Sequence, residues 1–346
     1  MKEFIRDLKW TIRSKLHYAS VRLNDFFESH HLGFFAHLPG WFKAIFFLLP
    51  AFIILGIFTF YPIFNSFFVS FFEGYNIITG EFDGYTLLGN YVTVLNESGF
   101  RQAVLNTALI VFISVPISIL VALFIAVAMN SIKVFKGFFQ NIFFLPYVTN
   151  SIAIGLVFAF MFKGNTNDLF NLGLANQIVT WFGGTPVPWI GVGATYWSAM
   201  SVILIHGVWA GLAFKIIVFL SSIQGIDKQY YQAAQIDGAS RSKQLRRITV
   251  PLISPMIFYI LVTSIIGAFK TYSSVVAIIG KEGTISTGAS GTVNLKTIVF
   301  FIYEYLQETG RNGALSEAAA AAIILFLIIM IFTIIQLRVG KKRVHY

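Results

Sequence analysis

Six apolar runs, near residues 44–72, 104–129, 141–162, 197–223, 251–279 and 314–337, constrain this chain more than anything else in it. A bilayer core of roughly 30 Å needs about 20 apolar residues per helix, and each run meets that length. Within lipid only helices and closed barrels satisfy every backbone polar group, and these runs are far too long for barrel strands. The expectation is an all-α, polytopic membrane protein with six transmembrane helices. Composition agrees: 56% of residues are hydrophobic and 12% charged, against about 25% charged in an average soluble domain.

The chain has no cysteine, which excludes disulfides, thiolate chemistry and cysteine-based metal sites. Its net charge of +10 does not call for nucleic acid, because membrane proteins concentrate Lys and Arg in their cytoplasmic loops. The basic residues divide unevenly. The 1–43 segment, the 130–140 turn, the 224–250 loop and the 338–346 tail carry seven, two, five and four of them; the three opposite loops together carry five. Both termini and the 224–250 loop are therefore expected in the cytoplasm. The domain plan is an N-terminal extension (1–43), a transmembrane domain (44–337) with the 224–250 loop between its fourth and fifth spans, and a short tail. The extension is read either as an interfacial amphipathic helix, from Phe4, Ile5, Leu8, Ile12, Leu16 and Leu23, or as a solvated tail. It does not resemble a cleaved signal peptide, since its apolar run starts late and runs long. No internal repeat is evident, and the alanine run 318–322 is the one low-complexity segment.

The 224–250 loop is unusually well punctuated. Asp227 stands where a helix N-cap belongs. Gly238 stands where a left-handed C-terminal stop belongs. Ser240 can cap a second short helix over 241–249, and Pro251 and Pro255 suit the opening of the next span. Ala233 and Ala234 leave the first short helix without bulk on one face. Taken alone, this pattern fits either a docking surface or a cytoplasmic turn with no partner.

The stretch Gln232-Ala233-Ala234-Gln235-Ile236-Asp237-Gly238-Ala239, followed by Ile248-Thr249-Val250-Pro251, resembles the EAA motif of binding-protein-dependent ABC importer permeases. Phe47-Leu48-Leu49-Pro50, Phe60-Tyr61-Pro62, Asn90-Tyr91, Asn106-Thr107 and Phe143-Phe144-Leu145-Pro146 resemble further landmarks of that family, so the likeness runs from about residue 46 to 341. Together they look like the first permease of a carbohydrate importer of the maltose and glycerol-phosphate type. The resemblance implies a type I ABC importer permease fold in a bacterial cell membrane. It also implies a second permease subunit, two ATPase subunits, an extracytoplasmic solute-binding protein, and a carbohydrate, most naturally an oligosaccharide. Gln232, Ala233, Ala234, Asp237, Gly238, Ala239, Arg241 and Pro251 would then form the ATPase-coupling site. Gln232 departs from the motif's leading Glu and loses its charge. The chain has no phosphate-binding loop of the form G-x-x-x-x-G-K-[ST]; it is expected to be no enzyme and to carry no cofactor, with ATP and Mg held by the partner ATPases.

Lys215 and Lys270 are the ionisable residues deepest in the spans, where a charge is costly and a functional role is the default. Lys215 is expected to snorkel toward the cytoplasm. Lys270 is read as lining a cavity suited to a polar or anionic sugar, or as a structural partner. Trp209, Tyr259 and Tyr272 are candidate sugar-stacking rings, and Asn150 and Ser151 candidate hydrogen-bonding groups; lipid contact and helix packing are the competing readings. His206 is expected to be a satisfied packing residue, not a metal ligand. Glu317, beside the alanine run, is expected at a contact with the second permease. Two other classes remain open at this point. An ion-coupled carrier acting alone should show acidic groups within its spans, and a membrane-embedded enzyme should show clustered catalytic groups.

Overall fold

The computed structural model describes residues 22, 39–76, 78–132, 135–164, 172–287, 291–308, 311 and 313–343. The expected amphipathic extension therefore lies outside the described residues, apart from Arg22 and 39–43. The chain divides into two units, Met1–Ser66 and Phe67–Tyr346. Most of helix α1 (Gly40–Val69) belongs to the first unit, and its long apolar side chains, Phe52, Ile54 and Phe58 among them, are exposed. A helix that is apolar all round belongs in lipid or in a large core.

The second unit begins with a two-stranded antiparallel ribbon, β1 (Phe72–Glu73) and β2 (Gly84–Tyr85). Helix α2 (Gly89–Asn96) and the long α3 (Ser98–Ser131) follow. The Asn-Tyr and Asn-Thr pairs of the sequence turn out to be structural pins. Asn90 Nδ2 donates to the carbonyls of Ser70 and Phe72 at 2.9 Å each, and Tyr91 shares a 2.7 Å hydrogen bond with Ser70. Asn106 Nδ2 donates to the carbonyls of Asn294 (3.1 Å) and Lys296 (2.8 Å), while its Oδ1 accepts from Gln102 and Tyr196. Thr107 accepts from the amide of Ile298 at 3.0 Å. Each pin satisfies backbone groups of an irregular segment that lipid could not satisfy.

The third apolar run is not one straight helix. It forms α4 (Lys136–Val148) and α5 (Ser151–Met161), bent by 100°. Pro146 weakens the end of α4. Asn150 then caps α5, its Oδ1 accepting from the amides of Ile152 (2.8 Å) and Ala153 (3.4 Å). At 1.5 Å per residue neither piece reaches the roughly 30 Å of a bilayer core by itself. The short α6 (Leu174–Trp181) leads to α7 (Tyr196–Gln224), opened by a capping box of Thr195 and Ser198. Next come α8 (Lys228–Ile236) and α9 (Arg241–Leu252), the latter bent by 66° against α10 (Ser254–Phe269).

The fifth helix ends at Phe269, ten residues short of the expected 279. The polar run from Lys270 leaves the helix, and the carbonyl of Thr271 accepts from Thr297 Oγ1 at 2.6 Å. A separate helix α11 (Ser273–Ile279) and a hairpin, β3 (Thr284–Ser286) with β4 (Thr292–Asn294), precede α12 (Ile298–Gln307) and α13 (Ala314–Arg343). Among the described residues, α1, α3, α7 and α13 are long and apolar enough to cross a membrane unaided; each bent pair adds one span only if its two helices are taken together.

The described π turns, at Gly56–Phe60, Ile110–Ser114 and Leu245–Thr249, end two residues before Pro62, Pro116 and Pro251. Proline donates no N–H and crowds the carbonyl four residues back. A wider turn at that point accommodates the ring without ending the helix, which is how α1 and α3 stay continuous.

The interior is a chain of contacting apolar clusters. Phe100 and Val111 of α3 meet Phe301 and Tyr305 of α12 over the small faces of Ala318, Ala320 and Ala321 in α13. Lower on α3, Ala122 and Ala126 receive Ile216, Phe219 and Leu220 of α7 together with Ile260 of α10. Gly155 lets α5 lie directly on α11: a Cβ there would collide with the Ala277 side chain.

Candidate functional site

Local chemistry dictates the turn between α7 and α10. Asp227 Oδ1 accepts from the Gln229 amide at 2.9 Å, the N-cap expected of it. At the other end of α8, the Ala239 amide donates to the Ala234 carbonyl (2.8 Å) and the Gly238 amide to that of Gln235 (3.0 Å), with Gly238 at φ +67°. That is a complete Schellman stop. Ser240 caps α9 through the Lys243 amide, and Gln244 Nε2 donates to the Ala239 carbonyl at 2.9 Å. Tyr231 and Thr249 share a 2.9 Å hydrogen bond that ties α8 to α9.

What the turn displays is mostly free surface. Gln232, Ala233, Asp237, Gly238 and Arg241 are exposed, Ala234, Ala239 and Pro251 half-buried. Ile236 is 88% exposed and Tyr230 also stands out; the spacing in sequence did not single out either. Two apolar side chains beside a bulk-free alanine face give a partner groove something to grip.

The second feature is an interior cavity of about 290 Å³ between α3, α7 and α10, reaching Ser151 and Ser274. Polar and small groups dominate its wall: Ser114, Ser118, Ser264 and Thr271, with Gly207 and Gly211 on α7. Lys215 and His206 line it as well. Among the expected pathway residues, Ser151 lies on this wall. Asn150 is exposed and spent as the α5 cap. Trp209 leans on Phe158 with ring centroids 5.5 Å apart. Tyr259 is exposed, and Lys270 is exposed at the C-cap of α10. Tyr272 packs against Tyr303 (4.8 Å) and Phe300 (5.5 Å). The structure thus does not gather these residues into one site, because the end of α10 at Phe269 carries Lys270 and Tyr272 out of its register.

Lys215 corrects its sequence reading. It is 6% exposed and does not reach out toward the end of α7. A Cβ on Gly211 would stand 2.5 Å from Lys215 Nζ, so the ammonium lies back along the helix over that glycine. His206 is buried edge-on to Phe158 (5.0 Å, 88°), and its Nε2 has no hydrogen-bond partner, so it is packed but not satisfied. Among the described residues no His, Asp and Glu cluster is arranged to hold a metal. Glu317 pairs with Arg311 within the chain. Arg311 also lies 4.8 Å from the centre of the Tyr305 ring, and the Tyr305 hydroxyl donates to Glu97. Burial, reinforced by that bond to a carboxylate, pushes the Tyr305 phenol above its usual range.

The cavity wall had a legible signature. Ser114 and Ser118 are one turn apart on α3; Gly207, Gly211 and Lys215 repeat every four residues on α7; Ser264, Gly267 and Ala268 follow on α10. Small and polar residues at helical spacing mark one face of a span, but only packing reveals that the three faces meet.

Comparisons with known proteins follow the same lines. A family model described as binding-protein-dependent transport system inner membrane component matches residues 86–345. The lactose transport system permease protein LacF of Rhizobium radiobacter is 27% identical over 301 residues, covering 86% of this chain and 93% of that protein. The arabinooligosaccharides transport system permease protein AraP of Halalkalibacterium halodurans is 31% identical over 253 residues, covering 72% and 73%. In fold, the chain matches a crystal structure of a bacterial ABC transporter involved in the import of the acidic polysaccharide alginate. The TM-score is 0.70 at 20% identity, over 87% of this chain and 96% of that one. With three quarters of its length inside the family model, the chain belongs to the binding-protein-dependent transport system inner membrane components.

Proposed function

We propose that the chain is one of two permease subunits of a bacterial inner-membrane ABC importer, and that it forms half of the path for an oligosaccharide. Its substrate is handed over by an extracytoplasmic binding protein, and its energy comes from two ATPase subunits that hold ATP and Mg. The names of its relatives, which transport lactose, arabinooligosaccharides and trehalose or maltose, favour a carbohydrate. The excess of Lys and Arg at both ends and around α8 favours a cytoplasmic location for those segments.

One observation carries the coupling assignment: an exposed short helix, capped at both ends, is hydrogen-bonded to α9, which leads directly into α10 of the cavity wall. A partner cleft that takes α8 moves α9 with it through Tyr231 and Thr249. Beyond the 66° bend at Ile253, α10 carries Ser264 and Ala268 into the cavity. Closure of the ATPases would thereby change the cavity walls, as a two-state element biased by differential binding requires.

The test is reconstitution of the whole importer in proteoliposomes with its binding protein. Uptake should need the second permease, both ATPases and ATP, and replacement of Asp237 and Gly238 together should release the ATPases during purification. Uptake by this chain alone, or unimpaired coupling in the double variant, would count decisively against the assignment.

A further inference from the structure

Lys215 is the least expected residue in the cavity wall. The end of α7 at Gln224 is nine residues away, about 14 Å along the helix axis, and Gly211 is about 20 Å from that end. The ammonium, lying back over Gly211, is thus placed near the middle of a hydrocarbon core roughly 30 Å thick. Side chains on a helix tilt toward its N-terminus, and here the missing side chain of Gly211 makes the room. Among the described residues Lys215 forms no ion pair and no hydrogen bond. An ammonium at that depth costs about 2.5–3.5 kcal/mol even on insertion scales. Membrane proteins keep such a charge where it meets water, a counter-charge or a ligand.

The surroundings match a ligand. The hydroxyls of Ser114, Ser118 and Ser264 share the cavity with Lys215. Those of Ser114 and Ser118 donate to the carbonyls of Leu204 (3.3 Å) and Val115 (2.9 Å), which leaves their lone pairs for sugar hydroxyls, while the Ser264 hydroxyl is a neutral group that can donate to an anion. Among the described residues no carboxylate lines the cavity to neutralise the lysine from within. Three other cations of this chain are placed differently. Lys270 is exposed, Lys296 is bound to Glu304 at 2.6 Å, and Arg311 lies among Glu308, Glu317 and Tyr305.

We propose that Lys215 holds a negatively charged group of the transported glycan, a carboxylate, sulfate or phosphate ester, so that the importer prefers acidic over neutral oligosaccharides. The inference rests on the permease reading above and deepens it by naming the substrate class. A bidentate partner is not required: the lysine acts as a point charge, and the Ser264 hydroxyl is a neutral donor on the same cavity wall. Discrimination arises because a neutral glycan in the same place leaves the ammonium without a counter-charge.

The experiment is uptake by the complete importer in proteoliposomes. The panel pairs uronic-acid, sulfated and phosphorylated oligosaccharides each with its charge-free counterpart, carboxyl-reduced, desulfated or dephosphorylated. The readout is the ratio of acidic to neutral uptake within each pair. The wild type should favour the acidic member of at least one pair, and Lys215→Met should lower that ratio about 10- to 100-fold, the worth of one hydrogen bond to a charged group. Lys215→Arg should restore much of the ratio. Lys215→Gln, which keeps a donor but no charge, makes the same comparison if the methionine variant fails to assemble.

Uptake of neutral glycans alone, or a ratio unmoved by Lys215→Met and Lys215→Gln, overturns the proposal and leaves the permease reading standing. Uptake of nothing across the panel, with ATPases bound and active, overturns the carbohydrate reading and this one with it. Inorganic phosphate is the control for a bare anion. If it inhibits neutral uptake in the wild type but not in Lys215→Met, the lysine belongs to a free anion and the glycan assignment falls.

Discussion

The α8–α9 turn and the interior cavity are built by opposite means. In the turn, each cap closes over a few residues: Asp227 on Gln229, Ala234 on Ala239, Ser240 on Lys243. In the cavity, Ser114, Gly207 and Ser264 come from three different helices, and Gly207 would place a Cβ 3.1 Å from Ser114 Oγ. The turn is closed by bonds between near neighbours in sequence and leaves most of its surface exposed. The cavity exists only while its walls are packed, and it encloses polar groups that lipid would reject. The coupling proposed above uses both properties: a handle that keeps its shape when pulled, and a chamber whose shape depends on where its walls stand.

The contrast can be broken by lesions of each kind. Gly155→Leu should have the largest effect on the fold, since even a Cβ there meets the Ala277 side chain between α5 and α11. Overpacking costs about 1–3 kcal/mol or more, so the purified complex should melt earlier in detergent and accumulate poorly. Unchanged melting would mean that the two helices part without consequence for the interior.

Gly238→Val should come next and should do the reverse. Nothing stands within 4 Å of a Cβ at Gly238, so the strain is purely that of φ +67°. A left-handed conformation costs an L-residue about 1–2 kcal/mol. Loss of ATP-driven uptake with little change in melting temperature is expected; a large drop in melting temperature would show that the turn supports the interior and would erase the contrast.

The smallest effect is expected for Gln232→Glu. It restores the acidic residue of the EAA-like motif on an exposed face of α8. An exposed ion pair contributes about 0.2–1 kcal/mol, so ATPase binding should tighten severalfold at most and become more sensitive to salt. An unchanged salt dependence would mean that the α8 contact rests on shape and hydrogen bonds alone.

Much of this was legible in the residues themselves. Hydropathy marks the apolar runs that became α1, α3, α7 and α13, because lipid demands a length and a composition that a chain can meet in few ways. Asp227, Gly238 and Ser240 announce their caps because a cap is a contract between residues two to five apart. Gln232 through Pro251 carries a family likeness for the same reason: a capped turn is written as contiguous sequence.

Tertiary structure decided the rest. Hydropathy treats 141–162 as one span, but the 100° bend at Thr149 and Asn150 depends on where α5 finds α11. The run to 279 reads as one helix, yet the carbonyl of Thr271 is held by Thr297 from a segment 26 residues on. Two lysines, Lys215 and Lys270, look alike in sequence, each set in an apolar run. One is exposed at the end of α10, and the other lies over Gly211 in a cavity shared by three helices. The sequence by itself determined the long apolar helices and the capped turn over 227–243, since those depend on composition and on neighbours in the chain. Which lysine lies in the cavity was left to packing, because a cavity is a property of distances between helices and no single helix contains it.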